Sequence, residues 1–242
     1  MMKDWLAILT LGITLTSYGQ TLQDIEKRLR LLEKPPEYEE FKYDTTGFSK
    51  LPLFKYFCDE ENENKWDYYH VVDLNNDGLK DLIYRGPCMP YSETGIFLNK
   101  GGSLGLIHSE PGNVLSIEKN KNGAVIQVLK WPCCCDSFFD SYEIVIHNDS
   151  HVEKNLIIFK SNTKVMLDKL KEIKVTGIVR STEELNDTEK KDDCSDQLIK
   201  GNRLTEITKP TTVVQLCQRG QWRLVLYPEN KMTSWIGWVK ME

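Results

Sequence analysis

The sequence predicts a mainly β protein: a short N-terminal helix, a small β domain and a compact C-terminal barrel. Three observations predict it. From residue 38 onward short apolar and aromatic runs are separated by Gly, Asn, Asp and Pro, helical periodicity is confined to 21–34, and the last 80 residues alternate as a small barrel does. With 242 residues, 40% hydrophobic and 28% charged, the chain can bury a sizeable core in one or two domains. The 31 basic and 36 acidic residues leave a net charge of -5, which argues against a nucleic-acid partner held through its phosphates. Six Trp, ten Tyr and eight Phe exclude disorder over the whole length.

Residues 1–19 have the layout of a secretory signal peptide, with Lys3, an apolar run from Trp5 to Thr16 and small residues Ser17 and Gly19 at a cleavage point after Gly19. The run is too short for the roughly 20 residues a membrane helix needs, so no membrane span is expected and the mature chain is placed in the periplasm or outside the cell. In that oxidising setting cysteines favour pairing. Cys58, Cys88, Cys133, Cys135, Cys194 and Cys217 are the candidates, with Cys194 and Cys217 the obvious pair of the C-terminal region. Seven cysteines leave at least one unpaired.

Residues 20–36 carry the helix. Leu22, Ile25, Leu29 and Leu32 recur at helical spacing, Thr21 is the N-cap with Asp24 three residues on, and Pro35-Pro36 ends it. A surface helix packed on its own domain is the simpler reading, a two-heptad coiled coil the sharper one. The β domain, 37–162, has strands expected at 66–72, 82–84, 95–98, 105–108, 114–118, 124–130, 141–147 and 155–159. Glycine and asparagine turns fall at Asn99-Lys100-Gly101-Gly102 and Asn120-Lys121-Asn122-Gly123. In the last domain, 163–242, residues 181–196 are acidic and polar and read as a long loop.

One loop has a clear chemical logic. Asp73, Asn75, Asp77 and Asp81 occupy positions 1, 3, 5 and 9, Gly78 permits the sharp turn at position 6, and Leu79 offers its carbonyl at position 7. Hard calcium takes about six to eight oxygen ligands, and this spacing supplies most of them. Tyr84 stands where an EF-hand needs its closing Glu, and strands rather than helices flank the loop, so an EF-hand is disfavoured. The pattern D-x-N-x-D-G-x-x-D followed by Leu82-Ile83, with Gly95 to Gly102 continuing it, resembles a single FG-GAP or VCBS-type repeat of exported bacterial proteins. That resemblance implies one structural calcium in a propeller-blade-like or sandwich domain.

Further on, Lys174 to Ser181, Gly201-Asn202, Lys209 to Leu216, Gly220 to Val225 and Gly237-Trp238-Val239 resemble a bacterial SH3-like domain, with Pro210 where that family usually has Gly. The resemblance implies peptide or cell-wall binding. Trp222 and Trp238 read as core residues, whereas Tyr227 and Trp235, in loop-like surroundings, are the candidates for a ligand-binding surface.

Enzyme signals are weak. Gly101-Gly102-Ser103-Leu104-Gly105 matches G-x-S-x-G, but the nucleophile elbow needs a strand, then Ser, then a helix, and here two strands flank the glycines. His147 and His151 lie in a polar turn without the Glu of H-E-x-x-H or an obvious third ligand. The expectation is an exported, non-catalytic binding protein of the cell envelope that recognises a protein or cell-wall component. The alternatives are an exported hydrolase using Ser103, His108 or acidic residues between the domains, and a periplasmic inhibitor or immunity-type protein.

Overall fold

The computed structural model describes residues 21–33, 42–52, 68–88, 91–132, 137–191 and 198–242. The signal-peptide residues 1–19 and Cys58, Cys133, Cys135 and Cys194 lie outside them, as does the side chain of Cys88. The chain is mainly β, as expected. Among the described residues no helix is long and apolar enough to cross a membrane.

Helix α1 spans Leu22–Glu33. Its start is a reciprocal cap: the Thr21 N–H and hydroxyl donate to Asp24 Oδ2 at 2.9 and 2.8 Å, and the Asp24 N–H donates back to Thr21 Oγ1 at 3.2 Å. These bonds to the charged form hold the Asp24 carboxyl below its usual range. Ile25, Leu29 and Leu32 are buried and Leu22 packs beside them, so the apolar stripe is spent on the chain's own core.

Strands β1 (Tyr69–Val72), β2 (Asp81–Cys88), β3 (Tyr91–Asn99) and β4 (Leu104–Pro111) form an antiparallel meander in that order. Strands β5 (Asn113–Asn120), β6 (Gly123–Lys130), β7 (Phe138–His147) and β8 (Val152–Lys160) form a second one. Alternation along β2 and β3 sends Ile83, Ile96 and Leu98 inward against Val114, Ala124, Ile126, Val128, Ile144 and Ile146 of the second meander. Leu82, Tyr84 and Phe97 face the other way, under Phe48 and Leu51 of a short 3-10 segment. Two four-stranded meanders packed face to face are therefore the core of the first half.

The second half holds β9 (Lys171–Arg180), a hairpin of β10 (Glu189–Lys191) and β11 (Leu198–Lys200), β12 (Arg203–Arg219), β13 (Trp222–Pro228) and β14 (Thr233–Lys240). Strand β10 lies inside the segment 181–196 expected to be a long loop, and β11 just after it. Strand β12 pairs with both β9 and β13, β14 pairs with both β13 and β9, and the four strands close into a small barrel. Val175, Val179, Ile207, Val213, Val225 and Val239 fill it. Gly237 is needed where β14 meets β9, because a Cβ there would lie 2.5 Å from Val179 Cγ1 and 2.9 Å from the Arg180 carbonyl oxygen.

The barrel is not separated from the first half. Strand β14 pairs in parallel with β8 through Thr233 to Trp235, so one eight-stranded sheet runs in the order β13-β12-β9-β14-β8-β7-β6-β5, across the expected boundary at 162. Its junction is filled by α1, by Leu115, Leu129 and Phe159 of the meander, and by Leu216, Leu224, Leu226, Ile236 and Trp238 of the barrel strands. Runs such as Leu224-Val225-Leu226 are continuous because alternate residues face two different cores. Trp238 is buried and Trp222 packs beside it, both on the helix side rather than inside the barrel.

One expectation is corrected. Tyr227 and Trp235 are not loop residues: they are direct cross-strand partners on β13 and β14, both half-buried. Tyr227 packs against the barrel core, and the Trp235 ring stands edge-on to Phe138 at 5.8 Å. Cys217 is a buried free thiol, and its expected partner Cys194 lies outside the described residues. Burial and the neighbouring Asp168 push that thiol above its usual range, which disfavours the thiolate.

Because α1 fills the junction, Leu29→Ala is expected to cost about 2–5 kcal/mol in urea unfolding, whereas exposed Lys27→Ala changes stability by about 0.5 kcal/mol or less. Equal effects of the two substitutions would show that α1 is only loosely attached.

Candidate metal centre

The loop between β1 and β2 is built from the residues its sequence singled out. Gly78 takes φ 85° and Asn76 φ 59°, the left-handed conformations that fold the chain back within a few residues. Leu74 is fully buried and anchors the loop in the core between the two meanders. The Asp73 Oδ2 accepts from the Gly78 N–H at 3.3 Å, Asn75 Oδ1 from the Asp77 N–H at 3.3 Å, and Asp77 Oδ1 from the Leu79 N–H at 2.8 Å. The Asn75 side-chain amide donates to Asp77 Oδ2 at 2.8 Å. Side-chain oxygens at positions 1, 3 and 5 thus hold the turn from within.

Asp81 has a separate task. Its fully buried carboxylate accepts from the Leu74 N–H at 2.6 Å and from the Asn99 N–H at 2.8 Å, tying the loop to the end of β3. Asn99 completes the clasp by donating to the Lys80 carbonyl at 3.0 Å. Burial, with Asp77 and Asp73 nearby, raises the Asp81 carboxyl to about 6 even though both backbone bonds favour its ionised form. A cation placed among these carboxylates would reverse that repulsion.

The far side of the loop is docked on the second meander. Asn75 also donates to Ser150 Oγ at 2.9 Å, and the Asn76 side chain donates to the Asn120 carbonyl and to Asn148 Oδ1, each at 2.9 Å. One oxygen stands apart from this network. Asp73 Oδ1 is shielded from solvent and makes no hydrogen bond. Leu79 is among the exposed large apolar residues and belongs to none of the buried clusters of the described residues. Among the described residues no group of three or more His, Cys, Asp and Glu side chains is already arranged to hold a metal ion. The loop's donor set is instead a mixture of carboxylate, amide and main-chain oxygen.

A second polar cluster was not foreseen as a unit. His108 and Glu110 lie two residues apart on β4 and meet Tyr142 of β7 and Lys154 of β8. His108 is buried, 6.0 Å from the Tyr142 ring, and its Nε2 makes no hydrogen bond. Lys154 pairs with Glu110 and lies 4.2 Å above the Tyr142 ring. Burial resists ionisation of Glu110, but the hydrogen bonds from Lys154 and Tyr142 overcome it and hold that carboxyl below its usual range. Burial pushes the Tyr142 hydroxyl up, and donation to Glu110 adds to this. The period-two spacing of His108 and Glu110 was legible, but their partners come from strands more than thirty residues away, and no local pattern marks them.

Ser103 lies in the exposed turn between β3 and β4, where the Lys100 N–H donates to its carbonyl at 2.9 Å. A strand follows it, so the elbow geometry is absent there. Comparison with family models, with curated proteins and with solved structures finds no match to the chain.

Burial lowers the His108 imidazole to about 4, with Glu110 opposing, Lys154 assisting and Glu93 opposing more weakly. The unfolded chain takes up this proton near 6.5 and the folded chain only near 4, so stability is fully present above about 6.5 and is lost as pH falls toward 4. Between pH 7 and 4.5 the loss is expected to be about 2–3 kcal/mol in denaturant titrations, and His108→Leu should remove that part of the pH dependence. An unchanged pH profile in the variant would refute the assignment.

Proposed function

We propose that the protein is an exported, non-catalytic binding protein of the bacterial cell envelope whose Asp73–Asp81 loop is stapled by one calcium ion. The observation that carries this reading is the shielded Asp73 Oδ1 without a hydrogen bond, in a loop whose remaining donors are all oxygens. Asp73, Asn75, Asp77 and Asp81 would hold the ion through side-chain oxygens and Leu79 through its carbonyl. Each Asp81 oxygen accepts one backbone N–H, so lone pairs are left for an ion. Calcium would act as a structural cross-link, joining β1, β2 and the end of β3 beneath the turn that docks on β7 and β8.

The calcium-loop and SH3-like resemblances, together with the export signal, support the assignment to the envelope. The closed barrel of β9, β12, β13 and β14 is compatible with the SH3-like reading. Within it Tyr227 and Trp235 remain the proposed ligand-contacting pair for a peptide or cell-wall component. They are adjacent aromatic side chains on neighbouring strands, and the Trp235 indole N–H has no hydrogen-bond acceptor.

Thermal unfolding of the chain from Gln20 tests the calcium reading. At a free concentration of about 100 times the dissociation constant, calcium should stabilise by roughly 2.7 kcal/mol, or about 5–10 °C in a chain of this size. Asp77→Ala should lose that shift, and an equal absence of shift in both chains would reduce the loop to a plain turn.

A further inference from the structure

The turn that receives the calcium-type loop carries its own cluster of donors. His147 ends β7, His151 precedes β8, and Glu153 is the second residue of β8. The hairpin closes with the His147 N–H donating to the His151 carbonyl and the Ser150 N–H donating to the His147 carbonyl, both at 2.9 Å, while Ser150 takes φ 64°. This geometry stacks the two imidazoles, with ring centroids 5.6 Å apart and planes 27° from parallel. Residues 151 and 153 point to the same side of the strand, which brings the Glu153 carboxylate to both rings. Both Nε2 atoms converge on one oxygen: His147 Nε2 is 3.3 Å and His151 Nε2 3.8 Å from Glu153 Oε1.

We propose that His147, His151 and Glu153 form a site for a divalent transition ion of the zinc class, separate from the calcium loop. A tetrahedral ion with bonds of about 2.0–2.2 Å holds its ligand atoms about 3.3–3.6 Å apart; the His147 separation falls in that range and the His151 separation of 3.8 Å lies just beyond it. His147 Nε2 is also shielded from solvent and makes no hydrogen bond, although the carboxylate stands beside it. That nitrogen's lone pair is therefore free for an ion, and a shared ion would engage all three side chains at once. As it stands the trio is an ion-pair cluster, and rotation about the outer side-chain bonds turns it into a chelate. Imidazole nitrogen selects zinc, nickel or copper over calcium, so the donor chemistry separates this site from the all-oxygen loop next to it. Three protein donors leave a fourth tetrahedral position for water.

The position gives the ion a consequence. Ser150 and Asn148 of this turn accept the hydrogen bonds from Asn75 and Asn76, so an ion that fixes the turn also fixes the seat of the neighbouring loop.

The test is a titration of the full mature chain, without an affinity tag, with cobalt(II) as the probe and zinc as the competitor. One equivalent of cobalt should bind with visible bands of a nitrogen and oxygen site, without the near-ultraviolet band of a cobalt–thiolate bond, and zinc should displace it. Loss of a second-shell partner alone costs about 10–100-fold in metal affinity, so His151→Ala and Glu153→Gln should each weaken binding by at least about tenfold. His151 is largely exposed, so its substitution leaves the core intact. Asp77→Ala should bind cobalt as the parent does, and the absence of a calcium shift would leave this result unaffected. A thiolate band, or affinity unchanged in both His151→Ala and Glu153→Gln, would place the ion elsewhere and overturn the proposal, as would no binding at all.

Discussion

The structure depends on burial of the β5–β8 meander on both of its faces. One face receives the β1–β4 meander through Ile83, Ile96 and Leu98, and the other receives α1 and the barrel strands through Leu115, Leu129 and Phe159. A sheet covered on both sides cannot leave polar groups unpartnered at its centre without cost, so the charges admitted there are paired. Arg28 of α1 reaches Glu143 of β7 in such a contact, and burial still raises the Glu143 carboxyl. The same helix places its Arg28 carbonyl 3.3 Å from the Gln127 amide, so the polar face of α1 is keyed to the sheet as well as its apolar stripe.

This central layer also sets where chemistry can be found. The Asp73–Asp81 loop, the His147–His151 turn and the His108 cluster all lie where the two meanders meet. The Asp loop and the histidine turn are joined by the side chains of Asn75 and Asn76, which cross from one meander to the other. These contacts are short polar side chains bonded to turns, and such contacts hold position through geometry rather than area. A metal among them would act where the packing alone is thinnest.

Much of this was legible in the sequence where the signal was local. The strands of both meanders fall on the apolar runs, with Asn99 to Gly102 and Asn120 to Gly123 in the turns, because alternation and glycine act over a few residues. The capping of α1 by Thr21 and Asp24 was equally local. What the pattern could not supply was partnership. Tyr227 and Trp235 read as loop residues because Pro228, Asn230 and Ser234 surround them, yet ladder bonds to neighbouring strands extend β13 and β14 through both. His147 and His151 looked like solvated loop histidines because their third neighbour, Glu153, lies on the returning strand and is brought in only by the hairpin. Cys217 lies in the junction core with Val214 and Leu216, a burial that its own strand's pattern does not mark.

Strand β14 occupies a position in the sheet that its place in the chain does not suggest. It comes last among the described strands, yet it lies between β8 and β9, and its Ile236 and Trp238 share a core with Ile25 and Leu29 of α1. Helix α1 and strand β14, about 200 residues apart in sequence, therefore meet at the middle of the fold. Contacts of such long sequence separation form late, since loop closure must precede any gain from them. Until residue 240 is available, β8 and β9 have no common neighbour and the junction core stays open. Any change that loosens β14 therefore opens the junction core and the barrel together.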